Sequence, residues 1–165
     1  MADRLALRYP GIVARLSDLV MRLPPRSRLR RALLSGAFAR GNRALNRGDL
    51  DAAFATLPQD IEWHLIEDIA KLAGVPTVLW GREAVLQLFE RILEVVSWSV
   101  EIAEMIDLGD GRIVLRCVGH QTGSASGISG DVPFSQVWEI RDGTPRRIHD
   151  YSQHREALEA AGLPG

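Results

Sequence analysis

The sequence predicts an α+β domain in which helices pack on one face of an antiparallel sheet. Apolar residues recur every three to four positions in several stretches before residue 96, as amphipathic helices require. After Ser97 they alternate with polar residues, as in half-buried strands. Short turn signals separate the predicted strands, which indicates a meander and not a parallel sheet with crossover helices.

The 165 residues are 46% hydrophobic and 25% charged, with a formal net charge of −1, which suits one compact domain. The chain has no apolar run of the roughly 20 residues that a membrane-spanning helix needs. Its N-terminus lacks the pattern of a signal peptide, so we expect a cytoplasmic protein. The only cysteine, Cys117, cannot form an internal disulfide, and its apolar neighbours indicate a buried packing role.

Two helices are predicted before residue 50. The first covers about 12–23, where apolar residues lie on one side, and Pro24-Pro25 ends it because neither proline can donate a backbone hydrogen bond. The second is longer and ends near residues 46–48. Asp49 is placed to cap a further short helix through its side-chain oxygen, and Pro58 is expected to end that helix.

The remaining elements follow from local patterns. Residues 61–65 alternate enough to form a strand, 74–81 indicate a loop with an edge strand, and 82–96 form a helix with one apolar face. Four strands are then predicted, over 98–106, 112–120, 132–141 and 145–151. A terminal helix is predicted over 154–161. The turns lie at 107–111, at 123–130 and at Asp142-Gly143. The glycine-rich turn joins two strands, so it lacks the helix N-terminus that binds phosphate.

Charge divides the chain unevenly. Residues 1–35 carry eight arginines and two aspartates, whereas the remainder carries 12 basic and 19 acidic residues. We therefore divide the chain into a basic, amphipathic helical extension, 1–35, and the domain proper, 36–165. The extension has three interpretations: docking on the domain itself, docking on a partner, or peripheral contact of residues 1–25 with an anionic membrane. Nucleic-acid binding is not expected, because no aromatic residues interleave with the arginines.

Four segments resemble the SnoaL-like branch of the nuclear transport factor 2-like superfamily. They are 46–53 (NRGDLDAA) with 60–64 (DIEWH), 80–85 (WGREAV), 123–128 (GSASGI), and Asp142-Gly143 followed by 155–163 (REALEAAGL). The resemblance implies a cone, in which N-terminal helices pack on the concave face of a strongly curved antiparallel sheet around a pocket. Such proteins include polyketide cyclases, ketosteroid isomerases, limonene epoxide hydrolases, dehydratases and noncatalytic modules, so the fold alone does not decide the function.

Asp150 is the first candidate catalytic residue. It matches the last-strand aspartate of SnoaL-type cyclases and limonene epoxide hydrolases, and strand alternation places it on the same face as Ile148. Apolar surroundings would raise the pKa of its carboxyl toward the value that a general base requires. The alternative is a structural aspartate that binds a nearby arginine or backbone amide.

Gln136 is the second candidate, because the resemblance places it where ketosteroid isomerases carry an oxyanion donor, and an amide can also donate. The alternative is a glutamine that satisfies backbone groups. Two known catalytic sets are incomplete here. The isomerase base aligns with Leu65 and its tyrosine with Gly41, while the epoxide hydrolase arginine and second aspartate fall near Arg116 and Val118.

The predicted pocket is lined by aromatic and apolar side chains. Trp63 and Trp138 share strand parity with pocket-facing positions, although ordinary core packing also explains them. The full predicted lining is Trp63, Leu65, Phe134, Trp138 and Ile148. No metal or cofactor is expected, because the four histidines, His64, His120, His149 and His154, lack ligand spacing. By alternation, His149 and Tyr151 point to the convex face.

These residues predict a protein that binds a small, lipophilic, ring-type molecule. One alternative is a cofactor-free isomerase, cyclase or hydrolase that uses Asp150. The other is a noncatalytic ligand-binding or assembly module. In either case we expect a homodimer that forms through the convex face of the sheet.

Overall fold

A curled, unclosed six-stranded sheet and the helices around it make up the computed structural model, which describes residues 10–123 and 129–165. The predicted α+β class is confirmed. The helices are α1 Pro10–Met21, α2 Arg28–Leu45, α3 Leu50–Ala53, α4 Glu67–Ala73, α5 Arg82–Val95 and α6 His154–Ala160. The strands are β1 Glu62–His64, β2 Val78–Trp80, β3 Val96–Asp107, β4 Arg112–Gly123, β5 Ser129–Arg141 and β6 Thr144–Tyr151.

The four long strands form the predicted meander, and the sheet order is β2-β1-β6-β5-β4-β3. Strand β1 pairs in parallel with β6, while the other neighbours are antiparallel. The pairing register shifts once within β3–β4 and once within β5–β6, and such bulges increase the local twist of a sheet. The centre of the turn predicted over 123–130 lies outside the described residues.

Two local differences separate the predicted elements from the observed ones. Helix α3 ends at Ala53, before the predicted stop at Pro58, and the chain continues in turns. Helix α4 was not predicted: it lies between the predicted strand at 61–65 and the predicted loop at 74–81, where no element was assigned. It ends at Gly74, whose φ of 64° is the left-handed conformation that favours glycine.

Helices α1 and α2 pack on the concave face of the sheet, as the resemblance implied. Leu34 of α2 lies in a buried cluster with Val100, Ile113, Leu115 and Cys117 of the sheet. Side chains near the end of α1 and along α2 pack against this cluster, among them Val20, Met21 and Phe38. The division expected at residue 36 falls inside α2, and it stays a prediction.

Arg30 joins three parts of this fold. Its side chain is 1% exposed, and its Nε and Nη2 donate to the two carboxylate oxygens of Asp107 at 2.6 and 2.8 Å. Its Nη1 donates to the backbone oxygens of Met21 and of Leu23, the latter at 3.0 Å. The end of α1, the start of α2 and the end of β3 are therefore held by one guanidinium.

The turn between β5 and β6 holds α1 from the other side. Gly143 has a φ of 69°, and a Cβ at this position would lie 2.3 Å from the backbone oxygen of Ala14 and from the backbone nitrogen of Asp18. Only glycine permits this approach. The hairpin signal at Asp142-Gly143 thus specifies a turn and also a packing site for a helix.

Asn46 satisfies the backbone of the edge strand β3. Its Nδ2 donates to the backbone oxygen of Val100 at 2.9 Å, and its Oδ1 accepts from the backbone nitrogen of Val100 at 2.8 Å. Asn42 also donates to the same oxygen, at 2.7 Å. An edge strand otherwise presents unpaired backbone groups, so Asn46 takes the place of a neighbouring strand at Val100.

We expect Asn46→Ala to lower the free energy of unfolding by about 1–3 kcal/mol, because the Val100 amide would be left buried without an acceptor. Asn42→Ala is the matched control, and its effect should be smaller because Asn46 still donates to the Val100 oxygen. Urea unfolding followed by tryptophan fluorescence measures both. Equal losses for the two variants would contradict this account.

Candidate functional site

A cavity of about 1110 Å³ lies between the concave face of the sheet and the helices. Most of its wall is apolar, with side chains from α1, α2, α4, α5 and the long strands. Trp63, Leu65, Phe134 and Trp138 lie on this wall, where the sequence analysis expected them. Ile148 does not: it points to the same side as Asp150 but is fully buried in the core.

Asp150 lies near the end of β6 and borders the cavity. The Nε1 of Trp63 donates to its Oδ2 at 2.9 Å, and the Nε2 of Gln136 donates to its Oδ1 at 2.9 Å. Strand pairing produces this arrangement, since Gln136 is directly opposite Asp150 and Trp63 lies on the neighbouring strand. The hydrogen-bond donors to Asp150 are therefore an indole and a side-chain amide. The structural alternative had expected an arginine or a backbone amide.

Gln136 is held in one orientation by a third side chain. Its Oε1 accepts from the Nε1 of Trp138 at 3.0 Å, which leaves its Nε2 to face Asp150. Gln136 was expected to donate to a ligand oxyanion. In the structure its side-chain amide donates to the carboxyl of Asp150 instead, so Gln136 positions that carboxyl.

Burial raises the pKa of Asp150 to about 7, against the opposing effect of the hydrogen bonds from Gln136 and Trp63. Desolvation disfavours the charged carboxylate, and the two donors stabilise it. Both of its oxygens already accept a hydrogen bond, and one side of the residue faces the cavity. Near neutral pH, Asp150 is therefore suited both to accept a proton from a molecule in the cavity and to return it.

The cavity is bordered by four further aromatic residues that the predicted lining did not include: Phe38, Phe54, Phe89 and Trp98. Trp98 lies 6.5 Å from Phe134 between ring centroids, and Phe38 meets Trp138 edge-on at 5.1 Å. The alternation of Trp98 with Val100 and Ile102 along β3 was a signal that indicates an inward position. Cys117 also borders the cavity, and burial together with the charge of Asp150 raises the pKa of its thiol to about 12, so it stays neutral.

No second carboxylate accompanies Asp150 on the described wall of the cavity. Positions 65 and 41 carry leucine and glycine there, as the sequence analysis noted. On β4 the residues that border the cavity are Leu115, Cys117 and Gln121, while Arg116 is exposed and pairs with Glu104 at 3.2 Å. The positions considered for the epoxide hydrolase pair, 116 and 118, therefore have the parity of the outer face.

The histidines lie away from the cavity. His149 stacks between His64 and Tyr151 at 4.7 and 4.4 Å. His120 pairs with Asp131, and His154 bonds the buried Ser135. Within residues 10–123 and 129–165, no three His, Cys, Asp or Glu side chains lie close enough to hold a metal ion. The predicted homodimer through the convex face stays a prediction.

Comparison with known proteins agrees with this fold. A sequence model described as the SnoaL-like domain matches residues 38–148. No curated protein matches the chain significantly. In the described part of the chain, no helix is long and apolar enough to cross a membrane.

Several solved structures share the fold. A nuclear transport factor 2-like protein of unknown function from Burkholderia pseudomallei has a TM-score of 0.61 and 21% identity, covering 73% of this chain and 91% of that one. TerC, co-crystallised with polyporic acid, has a TM-score of 0.62 and 20% identity, covering 78% and 95%. An LEH-like epoxide hydrolase from M. tuberculosis has a TM-score of 0.54 and 18% identity, covering 68% and 77%. At these identities the likeness concerns the fold alone.

Proposed function

Since the chain belongs to the SnoaL-like domain family, we propose that it binds a lipophilic, ring-type molecule in the cavity and catalyses cofactor-free proton transfer on it. The observation that carries this proposal is Asp150, a carboxyl with a pKa of about 7 on the wall of an apolar cavity. Protein sites that bind small molecules combine apolar walls with a few polar groups in this manner. On the sheet side the polar side chains are Gln121, Gln136 and Asp150.

The volume of the cavity supports a ligand of several fused or linked rings, because ligand pockets typically measure about 300–1,000 Å³. Trp63, Trp98 and Trp138 offer flat apolar surfaces for such rings. The co-crystal of TerC with polyporic acid supports a small organic ligand for a cone of this fold. An open cavity also favours ligand binding over the alternative of a module whose interior is filled by its own aromatic residues.

The chemistry follows from the position of one group. Ionised Asp150 removes a proton from the carbon next to a ligand carbonyl, and the C–H electron pair moves into the carbonyl to form an enolate. The protonated carboxyl then returns the proton to a carbon of the same ligand, so nothing is consumed. Gln136 and Trp63 hold the carboxyl by hydrogen bonds throughout. Epoxide hydrolysis by a carboxylate pair is not supported, because the second carboxylate is missing from the described wall.

A binding experiment tests the first half of the proposal. Nile red, a neutral polycyclic dye, is expected to gain fluorescence with the protein and to quench the tryptophans of the cavity. Cys117→Phe should weaken this binding at least tenfold, because the added ring occupies space beside Asp150. Val118→Phe, on the next position of β4 with outward parity, is the matched control.

Thermal melting of both variants shows whether the fold is retained. Equal affinity of the dye for the wild type and for a folded Cys117→Phe protein would show that the dye binds elsewhere. No binding of the dye or of any polycyclic ketone by the wild type would refute a ligand-binding cavity.

A further inference from the structure

Exposed apolar side chains gather around the mouth of the cavity. Of the eight large hydrophobic residues that are exposed in the described part of the chain, six also border the cavity. We call these six the apolar rim: Ile12, Leu16, Leu19, Leu33, Leu72 and Val95. Single exposed leucines are common in proteins, but a contiguous apolar patch marks a contact surface.

Half of the apolar rim belongs to α1. Ile12, Leu16 and Leu19 are spaced by four and three residues, so they form one stripe along the helix, and each is more than half exposed. Other residues hold the helix in place: Val20 and Met21 pack against the buried cluster of the sheet, and Gly143 approaches the backbone at Ala14 and Asp18. The stripe is therefore not needed to attach α1 to the sheet.

Positive charge accompanies the stripe. Residues 10–47 contain nine arginines and a single acidic residue, Asp18. Arg30 is used internally with Asp107, and Arg22 pairs with Asp18 at 2.8 Å. The other seven arginines form no ion pair with any described residue. Arg15 is next to Leu16, and Arg40 follows Leu33 by seven residues, so it lies on the same side of α2.

A basic surface with an exposed apolar stripe suits a bilayer interface that contains anionic lipids, since apolar side chains enter the acyl boundary and arginines face the headgroups. A symmetric contact between two copies would bring the same arginines face to face, which like-charge repulsion disfavours. Acidic residues near the rim, such as Glu67 and Glu94, lie on α4 and α5. The contact therefore centres on α1 and α2.

We propose that α1 and α2 dock on an anionic phospholipid bilayer with the apolar rim inserted, so that the mouth of the cavity faces the acyl chains. A lipophilic ligand then passes from the bilayer into the cavity without crossing water. The docking surface is inferred from the apolar rim and the arginines beside it, whereas the entry of a ligand by this path rests on the proposed function.

The test is sedimentation of the full chain with vesicles. We expect binding to vesicles of phosphatidylcholine mixed with phosphatidylserine, weaker binding at high salt, and little binding to phosphatidylcholine alone. Leu16→Glu/Leu19→Glu should lower the partition coefficient by about tenfold or more, because two inserted side chains become charged. Trp80→Glu is the control, since Trp80 is 66% exposed but does not border the cavity.

Arginine variants test the electrostatic part. Arg15→Gln/Arg40→Gln should weaken binding to the mixed vesicles by about fivefold for each charge removed, with an unchanged melting temperature. Failure of the wild type to bind mixed vesicles overturns the proposal, as does equal binding by Leu16→Glu/Leu19→Glu. The proposal is also overturned if the wild type forms a dimer without vesicles and the Leu16→Glu/Leu19→Glu variant is a monomer, because a second copy would then cover the rim. The vesicle assay contains no ligand, so docking and ligand binding can each fail while the other holds.

Discussion

Asp150→Asn is expected to lower the rate of proton transfer by about 10²–10⁴-fold, the contribution of a well-placed general acid or base. Asparagine has nearly the same size as aspartate, but its amide does not ionise and cannot act as a general base at neutral pH. The readout is deuterium incorporation from D₂O into the carbon next to the carbonyl of 2-tetralone, followed by NMR. Nile red should still bind, because the cavity wall is otherwise unchanged.

Asp131→Asn is the matched control, because Asp131 is an exposed carboxylate on β5 that pairs with His120 and not with the cavity. The rate for the wild type should rise with pH, with a midpoint near pH 7, since only ionised Asp150 accepts a proton. An exchange rate that is equal in Asp150→Asn and in the wild type would remove Asp150 from the proposed chemistry.

The same titration affects stability in a defined direction. Because folding raises the pKa of Asp150 from 3.8 to about 7, the folded state binds this proton more tightly than the unfolded state. The stabilisation is complete below about pH 4 and is lost as the pH rises through 7. Relative to Asp150→Asn, the wild type should lose up to about 4 kcal/mol of unfolding free energy over this range, at 1.36 kcal/mol for each pKa unit.

Arg30→Met is expected to lower the free energy of unfolding by about 3–5 kcal/mol, the usual loss when one partner of a buried ion pair is removed. Asp107 would retain its charge in a largely buried place, and the backbone oxygens of Met21 and Leu23 would lose a donor. Since Arg30 attaches the α1–α2 turn to β3, α1 should also become more accessible to proteases. Urea unfolding and limited proteolysis measure the two effects.

Arg31→Met is the neighbouring control, because Arg31 is exposed and its replacement should change stability by no more than about 0.5 kcal/mol. Arg30→Met/Asp107→Leu removes both charges and should recover part of the loss. Similar unfolding midpoints for Arg30→Met and Arg31→Met would show that the Arg30–Asp107 pair does not hold the helices.

Local patterns determined most of the secondary structure. Apolar spacing predicted α1, α2 and α5, and alternation predicted the four long strands together with the inward direction of Asp150 and the outward direction of His149. These features depend on residues a few positions apart, so periodicity records them directly. The end of α3 and the existence of α4, helices of four and seven residues, were not predicted.

Only the tertiary structure decided what surrounds those residues. Asp150 accepts hydrogen bonds from Trp63, which lies 87 positions away, and Arg30 pairs with Asp107 across 77 positions. Ile148 had the parity of a pocket residue, yet it is buried in the core. Which inward side chains reach the cavity depends on how the sheet curls and where the helices pack. A pattern along the chain fixes the face of a residue, but contacts between distant segments fix its partners and, with them, the pKa of Asp150.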